Sequence, residues 1–295
     1  MPDIPARFFT ELELSAKELT SNQRQPTDAN VNNLSPNNKP AKSKSSQNSD
    51  PASAVKTLGK ALTLLEVISS CENPPTVSEL AMRAGLTRPT THRLVQTLIA
   101  AGFVQQNPLD HRLSICFAAL PLAASLLDRN RMRLEALPHL QALALKFNER
   151  VNLGILNRNQ ILVLAGSEKP GLPTIYSRFG RSVPVHCTAL GKAIIAHLPP
   201  EEVLRIIKAQ PLKPRTLKTI TTPKALFEDL EKVRLNGFSI ENGENSQASC
   251  CIGVPILNAH DQPIAAISVS GRSLEHLVKD VDFILKTAEL IAHIL

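Results

Sequence analysis

The stretch from Thr76 to Ser114 limits this chain to fewer folds than any other. Thr76, Val77, Ser78 and Glu79 form a T-x-x-E capping box, which marks a helix start. Val77, Leu80, Ala81 and Ala84 then recur on one helical face. Gly85 is suited to the left-handed residue that ends so short a helix. Only Leu86 separates it from Thr87, an N-cap for a second helix. Pro89 falls in that helix's first turn, where a missing N–H is harmless. Leu94, Leu98 and Ala101 make its buried stripe, and Gly102 ends it. Two short helices joined by a tight glycine-containing turn are a helix-turn-helix; the same pattern also fits a plain helical hairpin inside a larger core.

The exposed face of the second helix favours DNA. It carries Arg88, Thr90, Thr91, His92, Arg93, Gln96 and Thr97, a set of donors with no acid among them. Such groups suit phosphates and base edges. Phe103–Gln106 and Arg112–Ile115 read as two short strands around a turn at Asn107-Pro108-Leu109-Asp110, the wing of a winged helix. Arg83, Arg88, Arg93 and Arg112 outweigh Glu79 and Asp110 here. Arg88, Thr90, Thr91, His92 and Arg93 are expected to lead the base and phosphate contacts, with Arg112 following the backbone from the wing.

Composition narrows the class. The 295 residues are enough for two domains and a tail, and a net charge of +7 allows a polyanionic partner. Aromatic residues are only 3%, with no Trp and one Tyr, Tyr176, which argues against a single-strand binder built on stacked rings. Five cysteines at irregular spacing, with no signal-peptide pattern, suit a reducing cytosol. No apolar run is long enough to span a bilayer. The expectation is a cytoplasmic chain with no membrane partner.

Residues 1–53 hold a short amphipathic stretch (Phe8, Phe9, Leu12, Leu14, Leu19) and then a run rich in Asn, Ser, Gln, Pro and Lys. Such a run cannot bury enough apolar surface to offset its ordering entropy, so a disordered tail is expected. Lys39, Lys42 and Lys44 suit either a solvated tail or a basic arm on DNA, the former being preferred. Val55, Leu58, Leu62, Leu65 and Ile68 space the first helix of a DNA-binding domain over residues 54–115. Phe117 to Asp128 is a strongly apolar helix interrupted at Pro121, too hydrophobic for a free linker. Residues 116–137 are therefore expected to dimerise, with Arg129, Arg131 and Arg133 as a basic connector.

Residues 138–295 read as an α+β domain. Val151–Leu156 and Gln160–Ala165 make a hairpin around Arg158-Asn159, and Ile252–Leu257 and Pro263–Ser270 another. Helices are expected from Ala189 to His197, from Pro199-Pro200 to about Ala209, from Pro223 to Asn236, and as one element from Leu274 to Leu295. Helices mixed with antiparallel hairpins imply an α+β sheet sensor rather than a Rossmann sheet.

Four features of this domain bear chemistry. Gly180 to Ala193 enters a helix through small residues, and free N–H groups at a helix start attract an anion. Glu241 follows the short strand Phe238-Ser239-Ile240. Cys250-Cys251 opens the next strand, and Ser268 and Ser270 lie on one sheet face. A metal site at His186, Cys187, Cys250 and Cys251 lacks the spacing of structural zinc pairs. A thiol reductase or redox sensor using Cys187 and Cys251 is the rival function. There is no Walker loop, G-x-G-x-x-G or H-E-x-x-H, so neither catalysis nor a cofactor nor a metal is expected.

Over about residues 54 to 295 the chain resembles IclR-type bacterial transcriptional regulators. The resemblance is carried by Leu58-Gly59-Lys60-Ala61-Leu62, the Thr76–Gly85 helix, Arg88 to Leu94, Pro184 to Ala193, and Ala266 to Gly271. It implies a winged helix-turn-helix, a dimerising linker helix, and a GAF-like α+β effector-binding domain with an antiparallel sheet. It further implies dimers, often paired into tetramers, on a double-stranded operator. A small metabolite, frequently a carboxylate, would bind the backbone of Ala189 and Leu190 together with Glu241, Cys251, Ser268 and Ser270. Glu241 stands where the family usually has Asp, Ala248 where Gly is usual, Cys250 often replaces a basic residue, Val183 a Leu, and Gly243 falls in a normally acidic run. The expected function is a ligand-responsive, sequence-specific regulator, a repressor in preference to an activator, of genes for uptake or catabolism of a small organic acid.

Overall fold

The computed structural model describes residues 56–168, 180–247, 250–271 and 273–295. The expected tail, together with Val55, Tyr176 and Ala248, lies outside them. The chain divides into two compact units, with the break between Arg129 and Asn130.

The first unit holds α1 (Lys56–Ser70), α2 (Val77–Ala84), α3 (Arg88–Ala100), β1 (Val104–Gln106), β2 (Leu113–Ile115) and α4 (Leu120–Arg129). The capping box forms: the Thr76 N–H donates to Glu79 Oε2 at 2.8 Å and the Glu79 N–H donates to Thr76 Oγ1 at 3.3 Å. Gly85 ends α2 with φ 63°, a left-handed conformation that a side chain would strain. β1 and β2 pair antiparallel, Val104 opposite Ile115, and the Leu113 N–H also donates to the Pro75 carbonyl. These elements close over Leu64, Ile68, Leu80, Leu94, Val95, Leu98, Val104 and Leu113.

Three expectations here need correction. The buried stripe of α1 runs through Leu64 and Ile68, while Leu58 and Leu62 are 59% and 52% exposed. Both sets have helical spacing, and packing against α2 and α3 selects one of them. Thr91 does not face outward; it is fully buried, one turn before Leu94 and Val95, with its hydroxyl donating to the Thr87 carbonyl. Pro121 does not interrupt a helix. A 3-10 turn at Phe117–Ala119 leads into α4, which places Pro121 in a first turn.

The second unit comprises α5 (Arg131–Phe147), β3 (Arg150–Asn157), β4 (Gln160–Ser167), β5 (Ser182–Val183), α6 (Ala189–Ile195), α7 (Pro200–Ala209), α8 (Pro223–Asn236), β6 (Ser239–Asn242), β7 (Cys250–Leu257), β8 (Pro263–Gly271), α9 (Leu274–Lys279) and α10 (Val281–Ile294). The connector expected at Arg129–Arg133 is helical from Arg131, and α5 continues through Pro138. The six strands order β5-β4-β3-β8-β7-β6, all antiparallel. Arg158 and Asn159 both take positive φ, 48° and 67°, as the two-residue turn between β3 and β4 requires. Pairing of β3 with β8 joins the two hairpins into one sheet.

Strand alternation divides the sheet between two cores. Val151, Leu153, Ile252, Val254, Ile267 and Val269 pack with α5 and α10. Ile161, Val163 and Ala266 face the other way, towards α6, α7 and α8. The single C-terminal helix expected from the periodicity is broken at Asp280, whose φ of −111° and ψ of 22° are not helical. Leu277 and Ile284 still reach one core from separate helices, so the apolar spacing runs across the break and conceals it.

Candidate functional sites

α3 presents the candidate DNA face. Arg88, His92, Arg93, Gln96 and Thr97 are exposed on it. Thr90 is half-buried, with its hydroxyl 2.9 Å from Thr87 Oγ1, and Thr97 donates back to the Arg93 carbonyl. Arg88, His92 and Gln96 are spaced four apart and share one line along the helix. Arg112 is tied down. Its Nη1 donates to the Pro74 carbonyl at 2.6 Å and stands 3.5 Å from Glu79 Oε2, joining the wing to the capping box. Glu79 is held below the usual carboxylate value chiefly by the backbone N–H of Thr76, with Arg112 adding to it.

The second candidate site lies on the α6 side of the sheet. A narrow cavity of about 20 Å³ is lined by all six expected effector residues, Ala189, Leu190, Glu241, Cys251, Ser268 and Ser270. That is room for about a water molecule or two, so a larger molecule could enter only if the walls moved apart. Sheet register brings the strand residues together. Glu241 pairs with Cys251 and Cys251 with Ser270, while Ser268 pairs with both Asn152 and Gly253. The Cys251 thiol donates to Ser270 Oγ at 3.2 Å. Glu241 is buried and its Oε1 accepts from the Asn245 N–H at 3.0 Å.

α6 forms the opposite wall. Thr188 caps it, accepting from the Gly191 N–H at 3.2 Å and donating to the Pro184 carbonyl at 2.6 Å. The N–H groups of Ala189 and Leu190 belong to the first turn, where no intrahelical carbonyl serves them. Gly191 lets the helix approach the preceding loop, because a Cβ there would stand 2.2 Å from the Val185 carbonyl oxygen.

Sequence reasoning missed Asn152, Thr188 and Asn245, which also line the cavity. Asn152 left a trace, being a polar residue between Val151 and Leu153 in an apolar strand. Thr188 left one as an N-cap; nothing local marks Asn245. Lys192, fully buried in α6 against Asp229 and Glu244, was also missed.

The cysteine readings do not assemble. Cys250 and Cys251 point to opposite faces of β7, Cys250 donating to the Gly271 carbonyl within the α5 core and Cys251 lining the cavity. Burial pushes the Cys187 thiol up to about 11, the wrong direction for a nucleophile at neutral pH. His186 Nε2 is engaged by the Lys213 carbonyl at 3.2 Å. Among the described residues, no three His, Cys, Asp or Glu side chains cluster as metal ligands. Nor is any described helix long and apolar enough to cross a membrane.

The family model for the bacterial transcriptional regulator IclR C-terminal region matches residues 124–292, and that for the IclR helix-turn-helix domain matches 57–108. The chain belongs to the IclR family. The transcriptional repressor IclR of Escherichia coli (strain K12) is 32% identical over 220 residues, spanning 74% of this chain and 80% of the repressor. A crystal structure of an IclR transcriptional regulator from Alicyclobacillus acidocaldarius shares the fold, with a TM-score of 0.71 at 23% identity over 81% of this chain and 98% of that one. An IclR homologue from Microbacterium hydrocarbonoxydans, complexed with 4-hydroxybenzoate, has a TM-score of 0.66 at 25% identity, covering 81% of this chain and 98% of its own. This IclR-family chain is thus a DNA-binding transcriptional regulator and not an enzyme. The thiol reductase weighed from the sequence is set aside.

Proposed function

We propose that this regulator is a repressor that binds an operator through α3 and is switched by a small organic acid held in the cavity beneath α6. The observation that carries the reading is convergence. Ala189, Leu190, Glu241, Cys251, Ser268 and Ser270 come from four separate stretches of the sequence, yet line one cavity. The first-turn N–H groups of α6 and the hydroxyls of Ser268 and Ser270 supply donors for a carboxylate. Glu241 supplies an acceptor for a hydroxyl on the same molecule. The regulated genes would serve uptake or catabolism of that acid. The repressor of Escherichia coli and the 4-hydroxybenzoate complex support the direction of control and the ligand class.

On α3, Arg88, Thr90, His92 and Arg93 make the contacts, with Gln96 beside them. Thr91 contributes by packing and Arg112 by holding the wing. The protein acts in the cytoplasm as a homodimer, or as a tetramer of paired dimers. Two copies would set their α3 helices in major-groove faces about one turn apart, on a palindromic site. Phe117, Leu120, Leu122 and Leu126 are 82%, 64%, 64% and 58% exposed, an apolar surface suited to a second copy. Residues 54–115, 116–137 and 138–295 then serve as DNA-binding, dimerising and effector-binding segments.

The test is fluorescence anisotropy with DNA from upstream of the gene, at two salt concentrations and against scrambled competitor. Tight, competitor-resistant binding that a small acid weakens is the expected result. Weak, strongly salt-dependent binding, equal on scrambled DNA, would remove the specific operator from that position.

A further inference from the structure

Lys192 has the largest fully buried side chain among the described residues, and it does not line the cavity. Its Nζ lies 2.6 Å from Glu244 Oε1, a hydrogen bond, and 3.0 Å from Asp229 Oδ2, a charge contact without hydrogen-bond alignment. A buried ammonium is a poor choice for stability alone, because apolar residues of similar volume usually do as well in such a place. What distinguishes this ion pair is where Glu244 sits.

Glu244 belongs to the turn that leaves β6, directly before the cavity residue Asn245 and three positions after the cavity residue Glu241. Asn245 lines the cavity, and its N–H is the donor to buried Glu241. The turn has no regular secondary structure to hold its carbonyls. They are satisfied from the connector between α7 and α8: Thr216 Oγ1 donates to the Gly243 carbonyl at 2.7 Å and Thr219 Oγ1 to the Glu244 carbonyl at 2.7 Å. Its side chains are held from α6 and the loop before it, by Lys192 on Glu244 and by Cys187 Sγ 3.9 Å from Asn245 Oδ1. Gly243, at φ 77°, begins the turn.

We propose that Lys192 is a positioning residue for effector recognition: by anchoring Glu244 it fixes the turn that aims Asn245 and Glu241 into the cavity. Asp229, on α8, binds the same ammonium, so the turn and α8 share one anchor. The proposal rests on the reading of this cavity as the effector site.

The experiment compares full-length wild type with Lys192→Met, Glu244→Gln and Asp229→Asn by hydrogen–deuterium exchange, with peptides from α5 and α10 as controls. In Lys192→Met, exchange across residues 241–247 should accelerate by about tenfold or more, with the control peptides within about twofold of wild type. Glu244→Gln should give the same pattern with a smaller rise, and Asp229→Asn should leave the turn nearly unchanged. In parallel, glycolate, lactate and pyruvate are titrated by calorimetry. The best of them should bind Lys192→Met at least about tenfold more weakly, with operator affinity in the absence of acid unchanged.

Unchanged exchange across 241–247 in Lys192→Met would overturn the proposal. So would acceleration spread evenly into α5 and α10, which would make Lys192 a general core residue. If none of the three acids binds wild type, the small-acid reading of the cavity fails for that class, and the exchange data still decide the anchoring role. If Lys192→Met does not fold, Glu244→Gln carries the exchange test, and an unaltered turn there overturns the proposal.

Discussion

A Cβ atom on Gly253 would stand 2.4 Å from the carbonyl oxygen of Ala189. That oxygen also accepts the Ser239 hydroxyl at 2.6 Å, so α6 lies on the sheet at a distance only glycine permits. The first turn of α6 is the wall opposite Ser268 and Ser270, and Gly253 therefore sets the width of the cavity. Gly253→Ala must push α6 outward. It should destabilise the second unit by about 1–3 kcal/mol, as overpacking does, and abolish any thermal shift given by an effector. Gly59→Ala is the control: nothing lies within 4 Å of its Cβ position, so a neutral or slightly stabilising effect is expected on a helix. Equal melting temperatures for Gly253→Ala and wild type would contradict the close approach.

Arg93 and Arg112 should separate by salt. Arg93 is exposed on α3, whereas Arg112 is occupied by the Pro74 carbonyl and Glu79. Arg93→Ala should weaken operator binding by about 1–3 kcal/mol if it reads a base, or lower the salt slope by about one if it holds a phosphate. Arg112→Ala should lower the melting temperature of the DNA-binding unit and leave the slope nearly unchanged. A full unit of slope lost with Arg112→Ala would return it to the backbone-contacting set.

Thiol labelling tests the burial of Cys187. With the thiol at about 11, iodoacetamide at pH 8 should modify Cys187 and Cys250 last among the five cysteines, as peptide mass spectrometry would show. Rapid labelling of Cys187 would revive a reactive-thiol role.

Burial lowers three histidines, His139, His186 and His197, from an ordinary value of 6.5. Each is neutral in the folded protein at a pH where the unfolded chain already binds a proton. The stability they contribute is present above 6.5 and is lost as pH falls through their depressed folded values. Melting temperature should therefore decline as pH falls from 7 towards 5. Glu79 is lowered from 4.5, so its contribution is lost only below that value, in a separate acid limb. A flat profile between pH 7 and 5 would show these rings to be more solvated than their packing implies.

What the sequence by itself determined is local. The capping box at Thr76, the left-handed glycine at 85 and the turn at Arg158-Asn159 all depend on residues within one turn of each other. Their physics is complete in a short window, and the helix-turn-helix follows from them. Facing was less legible: Leu58 and Leu62 have the same spacing as buried Leu64 and Ile68, and Thr91 resembles its exposed neighbours. Only packing against a second element separates such alternatives. The cavity was half legible. Ser268 and Ser270 share a face by strand period alone, and resemblance to a family marked Ala189, Leu190, Glu241 and Cys251. Asn152 reaches them only because β3 pairs with β8, and Asn245 only because its N–H turns back to Glu241. Nothing local distinguishes Lys192 from an exposed helical lysine; Asp229 and Glu244, which bury its charge, are distant in the chain. Tertiary structure decided these because desolvation and pairing are properties of residues distant in the chain, which no short window contains.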